Sequence, residues 1–94
     1  MFVLALEVDL HLNDARSLKD KRSVVTSMVD GARRRYRVAA AEVAHQDDRQ
    51  RAVLGFAAVA STAAHATDVI DEVDRFVWSH PEVEVVSMER TWLG

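Results

Sequence analysis

The tightest constraint on this chain is an alternation near its start. Every second residue from Phe2 to Leu12 is apolar: Phe2, Leu4, Leu6, Val8, Leu10 and Leu12. Val3, Ala5, Glu7, Asp9 and His11 fill the places between. Neighbouring side chains of a strand point to opposite faces, so the pattern predicts a strand with one face in a core and one left open. A chain of 94 residues supplies one domain, residues 1–94, and the apolar face of its strand needs a covering layer.

That layer follows directly. Asn13 and Asp14 mark a turn, and Ser17 can cap a helix whose Asp20 completes a capping box. Leu18, Val25, Met28, Val29, Ala32 and Tyr36 recur at helical spacing, which predicts a buried stripe. Gly31 is expected on the outer side, at a cost of about 1 kcal/mol relative to Ala. Val38 to about His45 reads as a second strand, Gln46-Asp47-Asp48-Arg49 as a polar turn, and Ala52 to Ala60 as a third strand. Leu54, Phe56 and Ala58 are its expected core positions. Ser61 or Thr62 caps a second helix with Ala66, Val69, Ile70, Val73 and Val77 inward and Phe76 at the margin. Asp68, Asp71, Glu72 and Asp74 cover its outside. Pro81 ends it, because the residue before proline avoids helical geometry. Val83 to about Leu93 is the last strand, and its Val85-Val86 doublet predicts a bulge.

The order is βαββαβ. Right-handed crossovers place strands one and three at the centre of a four-stranded antiparallel sheet of order 4-1-3-2, with both helices on one face. The expected class is α+β, a ferredoxin-like sandwich. Leu6, Val25, Leu54, Phe56, Ile70 and Val73 are expected to share one core.

Composition removes several functions. With no cysteine, a disulfide scaffold, a thiolate zinc site and a cysteine nucleophile are excluded. Glycine occurs only at 31, 55 and 94, none before a helix, so no phosphate-cradling loop is present. No serine lies in a nucleophile-elbow context. These absences predict no cofactor, no metal and no enzyme. Nothing resembles a signal peptide or a membrane span, which points to the cytoplasm.

Charge is more informative. The net charge of −3 conceals a segment from Arg16 to Arg37 with eight basic residues against two acids. The rest of the chain holds four basic and thirteen acidic residues. On a helical wheel Lys19, Arg22, Arg33 and Arg37 share one flank of the first helix, with Thr26 among them. Lys21 and Arg35 are expected on the other flank. A row of cations can follow a phosphate backbone, so these four are candidate RNA-binding residues. The competing reading is a solvated face whose terminal arginines serve the helix dipole, or one neutralised by the acidic second helix.

Other candidates are weaker. Glu42, His45, Asp47 and Asp48 could form a His-carboxylate metal site or an acid/base pair, but they also suit a turn whose aspartates bond their own backbone. Glu7, Asp9 and His11 could meet Arg51 or Arg90 across strands, as a catalytic cluster or, far more commonly, as solvated ion pairs. Trp78 lies off its helix stripe and Trp92 near the end, as interface anchors or covers of the core edge. His65 and His80 flank the second helix, where helix-end hydrogen bonding is expected of both. The open sheet face carries Val3, Ala5, Glu7, Asp9, Val53, Gly55 and Ala57, with no aromatic to stack bases. Any RNA contact is therefore expected on the helix, and the open face is better suited to protein contact or a homodimer.

Several blocks together resemble the YlxP-like family, a bacterial domain of unknown function. They are Ala15-Arg16-Ser17-Leu18-Lys19-Asp20-Lys21-Arg22, Ala41-Glu42-Val43-Ala44-His45-Gln46-Asp47, Gln50-Arg51-Ala52, Leu54-Gly55, Ser79-His80-Pro81 and Glu89-Arg90-Thr91-Trp92-Leu93. The resemblance implies a ferredoxin-like fold and marks Glu42, His45, Gln46, Asp47, Gln50 and Arg51 as a motif loop without an assigned role. Family genes often neighbour those of a translation initiation factor and a ribosome-binding factor, which implies ribosomal RNA or ribosome-assembly proteins as partners. Arg49 is a departure, since an aromatic residue is common in that slot. Three functions stay open: an accessory factor binding ribosomal RNA or an assembly partner, a protein–protein module or homo-oligomer, and a small enzyme using His45 and Asp47.

Overall fold

A computed structural model describes residues 1–94. Its elements are β1 (Phe2–His11), α1 (Leu18–Tyr36), β2 (Ala39–Ala44), β3 (Arg51–Ala60), α2 (Ala63–Trp78) and β4 (Glu84–Trp92). The sheet runs β2-β3-β1-β4, and every neighbouring pair is antiparallel. The expected element order and strand order both hold.

β1 pairs with β3 from Phe2 opposite Ala60 to His11 opposite Arg51 without a break. This register places Leu4, Leu6, Val8 and Leu10 beside Leu54, Phe56 and Ala58 on one face. All are buried in one cluster with Val25, Met28, Val29 and Ala32 of α1 and Ala66, Ile70, Val73, Phe76 and Val77 of α2. Both helices therefore cover the same face, and the six expected core residues meet there.

Two bulges shape the sheet. Asp9 faces Ser87 and Leu10 faces Val85, so Val86 is the extra residue in β4, as the valine doublet predicts. Glu42 faces Leu54 and Ala44 faces Val53, so Val43 is extra in β2. The second bulge explains Gly55: a Cβ there would lie 3.1 Å from Val43 Cγ1.

Both helices begin as expected. Ser17 Oγ accepts from Asp20 N, and Thr62 Oγ1 accepts from His65 N. The Asp20 carboxylate reaches the amide of Arg16 rather than that of Ser17, so the box closes one residue early. Gly31 departs from the sequence reading. It is buried, and a Cβ there would approach Phe76 Cζ to 2.9 Å. Phe76 is itself buried instead of marginal, packed edge-on against Tyr36 and His80. The missing side chain at 31 is the space that this ring fills between the helices. Val69, in contrast, is only partly buried.

Candidate functional site

α1 packs against both α2 and the edge strand β2. Gly31 and Arg35 mark the side toward α2, since both contact the Phe76 ring. At 100° per residue, Lys19, Arg22, Thr26, Arg33 and Arg37 lie well round the helix from Gly31, on the side overlooking β2. All five are exposed, and Lys19 to Arg37 spans about 27 Å at 1.5 Å per residue.

Of the four cations, Arg33 is engaged. Its Nη2 donates to the Ala40 carbonyl of β2 at 2.5 Å, and Nη1 lies 3.5 Å from Asp30. The side chains of Lys19, Arg22 and Arg37 make no hydrogen bond or ion pair. Arg37 closes the helix in the left-handed region, at φ 55°, with its amide bonded to the Arg33 carbonyl. No ion pair joins α1 to α2. Asp71 and Asp74 turn the other way and hold Arg90 of β4 at 2.8 and 3.1 Å. Burial opposes the charge of Arg90, yet its hydrogen bonds to Asp71 and Asp74 raise its pKa above the ordinary arginine value.

Lys21 contradicts its expected place on a solvated flank. It is fully buried. Its ammonium donates to the carbonyls of His45 (2.5 Å), Asp48 (2.6 Å) and Gln46 (3.3 Å), which matches its three N–H groups. Glu42 Oε2, 2.8 Å away, balances the charge. A signal for this was present: residues 21, 25, 28 and 32 share one helical spacing, and three of them are apolar. The lysine occupies a core position of the stripe, past the end of β2, where loop carbonyls replace apolar neighbours.

Lys21 thus gathers the motif loop. His45 sits in the left-handed region at φ 61°, uncommon for a residue with a side chain. Asp48 Oδ1 accepts from the Gln50 amide, and that bond, opposed by burial and helped by the Arg51 amide and the charges of His45 and Lys21, holds its carboxyl below the ordinary 3.8. The turn-forming role of this aspartate is therefore present. His45, Gln46, Asp47, Asp48 and Arg49 surround an open polar depression and all are exposed. The His45 and Asp47 side chains make no hydrogen bond, and no three His, Asp or Glu side chains converge at any point.

On the open face, Arg51 pairs with Asp9 at 2.8 Å, as one of the two alternatives predicts. Arg90 does not join them: opposite Leu6, it lies on the helix side. Glu7 faces Glu89 across β1 and β4. Trp92 packs edge-on against Phe2 at 6.3 Å, and both rings stay exposed, as does Trp78. His80 Nδ1 meets the Phe76 carbonyl at 2.7 Å, the expected helix-end bond, whereas His65 contributes only its backbone amide. No helix is long and apolar enough to cross a membrane.

The fold and these surfaces define a small α+β protein of four antiparallel strands and two helices, with six of its twelve lysines and arginines on α1. Its likeness to a designed protein of ferredoxin fold, solved by solution NMR, bears on architecture alone: the TM-score is 0.57 at 16% identity, over 100% of this chain and 87% of that one. A family model described as "Protein of unknown function (DUF503)" matches residues 3–90. The chain is also 31% identical over 86 residues to the "Uncharacterized protein YlxP" of Bacillus subtilis (strain 168), across 92% of this chain and 94% of that one. It belongs to this YlxP-like family.

Proposed function

We propose that this protein is a non-enzymatic accessory factor of the cytoplasm that binds ribosomal RNA through the β2-side flank of α1. Lys19, Arg22 and Arg37 are the contact residues, with Arg33 sharing its charge between Asp30 and the RNA. The observation that carries this reading is the absence of any acidic partner for these three cations, on a molecule where the acids outnumber the bases overall. Their rough alignment along about 27 Å of helix suits successive phosphates.

Each phosphate neutralised releases counterions. The logarithm of affinity should therefore fall against the logarithm of salt with a slope of about −2 for three contacts on a single strand. Sedimentation with ribosomal subunits at two salt concentrations tests this. Lys19→Glu with Arg22→Glu should abolish co-sedimentation while the protein stays folded, since both side chains are exposed. Glu7→Gln with Glu89→Gln on the open face should leave it intact. Co-sedimentation of the helix variant at the wild-type level would refute the reading.

One observation favours a second reading, docking of a protein or another copy on the open face. Ala5, Ala39, Ala41, Gly55 and Ala57 floor a shallow apolar depression of about 510 Å³, and Val43 rims it. Val59 and Leu93, about two-thirds exposed, add apolar surface to the molecule. Sedimentation equilibrium on the wild type and on Ala57→Arg distinguishes a self-associating chain from a monomer.

A further inference from the structure

Apolar surface left in water is not spread evenly over this molecule. Eight large apolar side chains remain exposed, and five of them, Met1, Phe2, Val59, Trp92 and Leu93, lie at one end. Strand pairing puts them there. Phe2 is opposite Ala60, Val3 is opposite Val59, Trp92 is opposite Leu4, and the Leu93 amide donates to the Val3 carbonyl. Phe2 and Trp92 share the face of Leu4 and meet edge to face. Val59 and Leu93 stand on the other face of the same strand ends. Single exposed apolar residues need no explanation, but a contiguous group marks a contact surface.

Charge falls the opposite way. Among residues 1–4, 37–39, 57–64 and 91–94, which build this end, Arg37 is the one charged side chain. The far end, built by the turn after β1 and the β2–β3 loop, holds Asp14, Arg16, Asp47, Asp48 and Arg49. A different protein is selected by complementary charge and polar pairing, and the apolar end offers a single cation for that. A two-fold contact lays a surface on its own copy, so any like charges in it meet one another. An end almost free of charge escapes that repulsion.

Shape and area agree. β1 and β3, of ten residues each, run about 33 Å, so they lie along the length of a molecule 42 Å long and 20 × 16 Å across. The apolar group thus caps a narrow end. At exposures from 38% for Phe2 to 86% for Met1, its five side chains present roughly 600 Å² to water. Two such ends in contact remove about 1,200 Å², the lower bound for a stable specific interface.

We propose that the chain forms a two-fold homodimer, end to end, through Met1, Phe2, Val59, Trp92 and Leu93. The contact leaves the open-face depression free and is independent of the RNA reading. An interface of this size places the dissociation constant at the weak end, about 1–10 μM.

Sedimentation equilibrium across concentrations spanning that constant should show monomer mass giving way to dimer mass. Trp78→Phe leaves Trp92 as the single indole, and its emission should move to the red on dilution with the same midpoint. Val59→Glu with Leu93→Glu should weaken association at least about tenfold, because each copy then buries unpaired carboxylates. Both side chains are exposed, so this variant should fold as wild type does, which circular dichroism checks. Ala41→Arg, in the open-face depression, should leave association unchanged. A chain monomeric throughout, a Trp92 emission indifferent to concentration, or a dimer that survives the double glutamate variant would overturn the end-to-end contact. So would a dimer lost in Ala41→Arg alone, which would place the contact on the open face.

Discussion

Lys21 and Arg90 do the same job at opposite edges of the sheet. Lys21 ties α1 to the loop joining β2 and β3, while Arg90 of β4 ties the other edge to α2. Each is the hub of several polar bonds between elements. Their surroundings differ. The Lys21 side chain has 0% exposure and Arg90 has 34%. Three of the lysine's partners are backbone carbonyls, which cannot move without reshaping the loop. The arginine's partners are two carboxylates on side chains 42% and 30% exposed, able to turn to water. The same kind of contact is thus a fixed joint in one place and a loose one in the other.

Lys21→Ala offers the largest way to break that comparison. It leaves the Glu42 carboxylate, only 16% exposed, and a set of loop carbonyls without their cation. Removing one partner of a buried pair costs about 3–5 kcal/mol. Urea denaturation should show the midpoint falling at unchanged slope, which separates lost stability from a changed unfolded state. A loss below about 1 kcal/mol would make the buried joint no stronger than a surface pair.

The two joints also differ in how far the sequence announces them. Alternation in β1 and the 3.6-residue stripes of both helices place Leu6, Leu54, Ile70 and Val73 in one core, because burial of apolar surface is what sets those periods. Register follows from the same faces, and the Val85-Val86 doublet marks its bulge. Polar burial leaves a weaker trace. Lys21 stands in line with Val25, Met28 and Ala32, but a lysine is treated as solvent-facing unless its acceptors are known, and those come from residues 24 to 27 positions later. Gly31 has the same difficulty in reverse: its neighbour Phe76 is distant in the chain, so the need for a missing side chain is invisible locally. Arg90 changes faces only after the β4 bulge is placed. The cationic flank was legible as a pattern, while the freedom of Lys19, Arg22 and Arg37 from acidic partners required knowing that Asp71 and Asp74 turn toward β4.

Arg90→Ala sharpens the contrast from the weak side. An exposed pair of this kind contributes about 0–1 kcal/mol, screened by salt. The expected result is a loss of less than about 1 kcal/mol that shrinks further as salt is added. A salt-independent loss near that of Lys21→Ala would mean that the surface joint is no looser than the buried one.

Asp48 gives the smallest effect and the most local one, because it titrates inside the loop that Lys21 holds. Its carboxyl lies below the ordinary 3.8, first because it accepts from the Gln50 amide and despite the opposing effect of burial. A carboxyl whose folded value is depressed binds its proton more readily in the unfolded chain. Its contribution is complete above 3.8 and is lost as pH falls through the lower folded value. The Gln50 amide should report this as an NMR shift with a midpoint below 3.8, and in Asp48→Asn that transition should vanish. The three bonds from Lys21 go to backbone carbonyls and not to this carboxyl, so they should persist while the Asp48 bond is lost. The loop should therefore loosen around Gln50 and remain docked at His45. If His45 and Gln50 signals broaden together at the same pH, the aspartate and not the lysine holds the loop, and the distinction between the two joints fails at its stronger member.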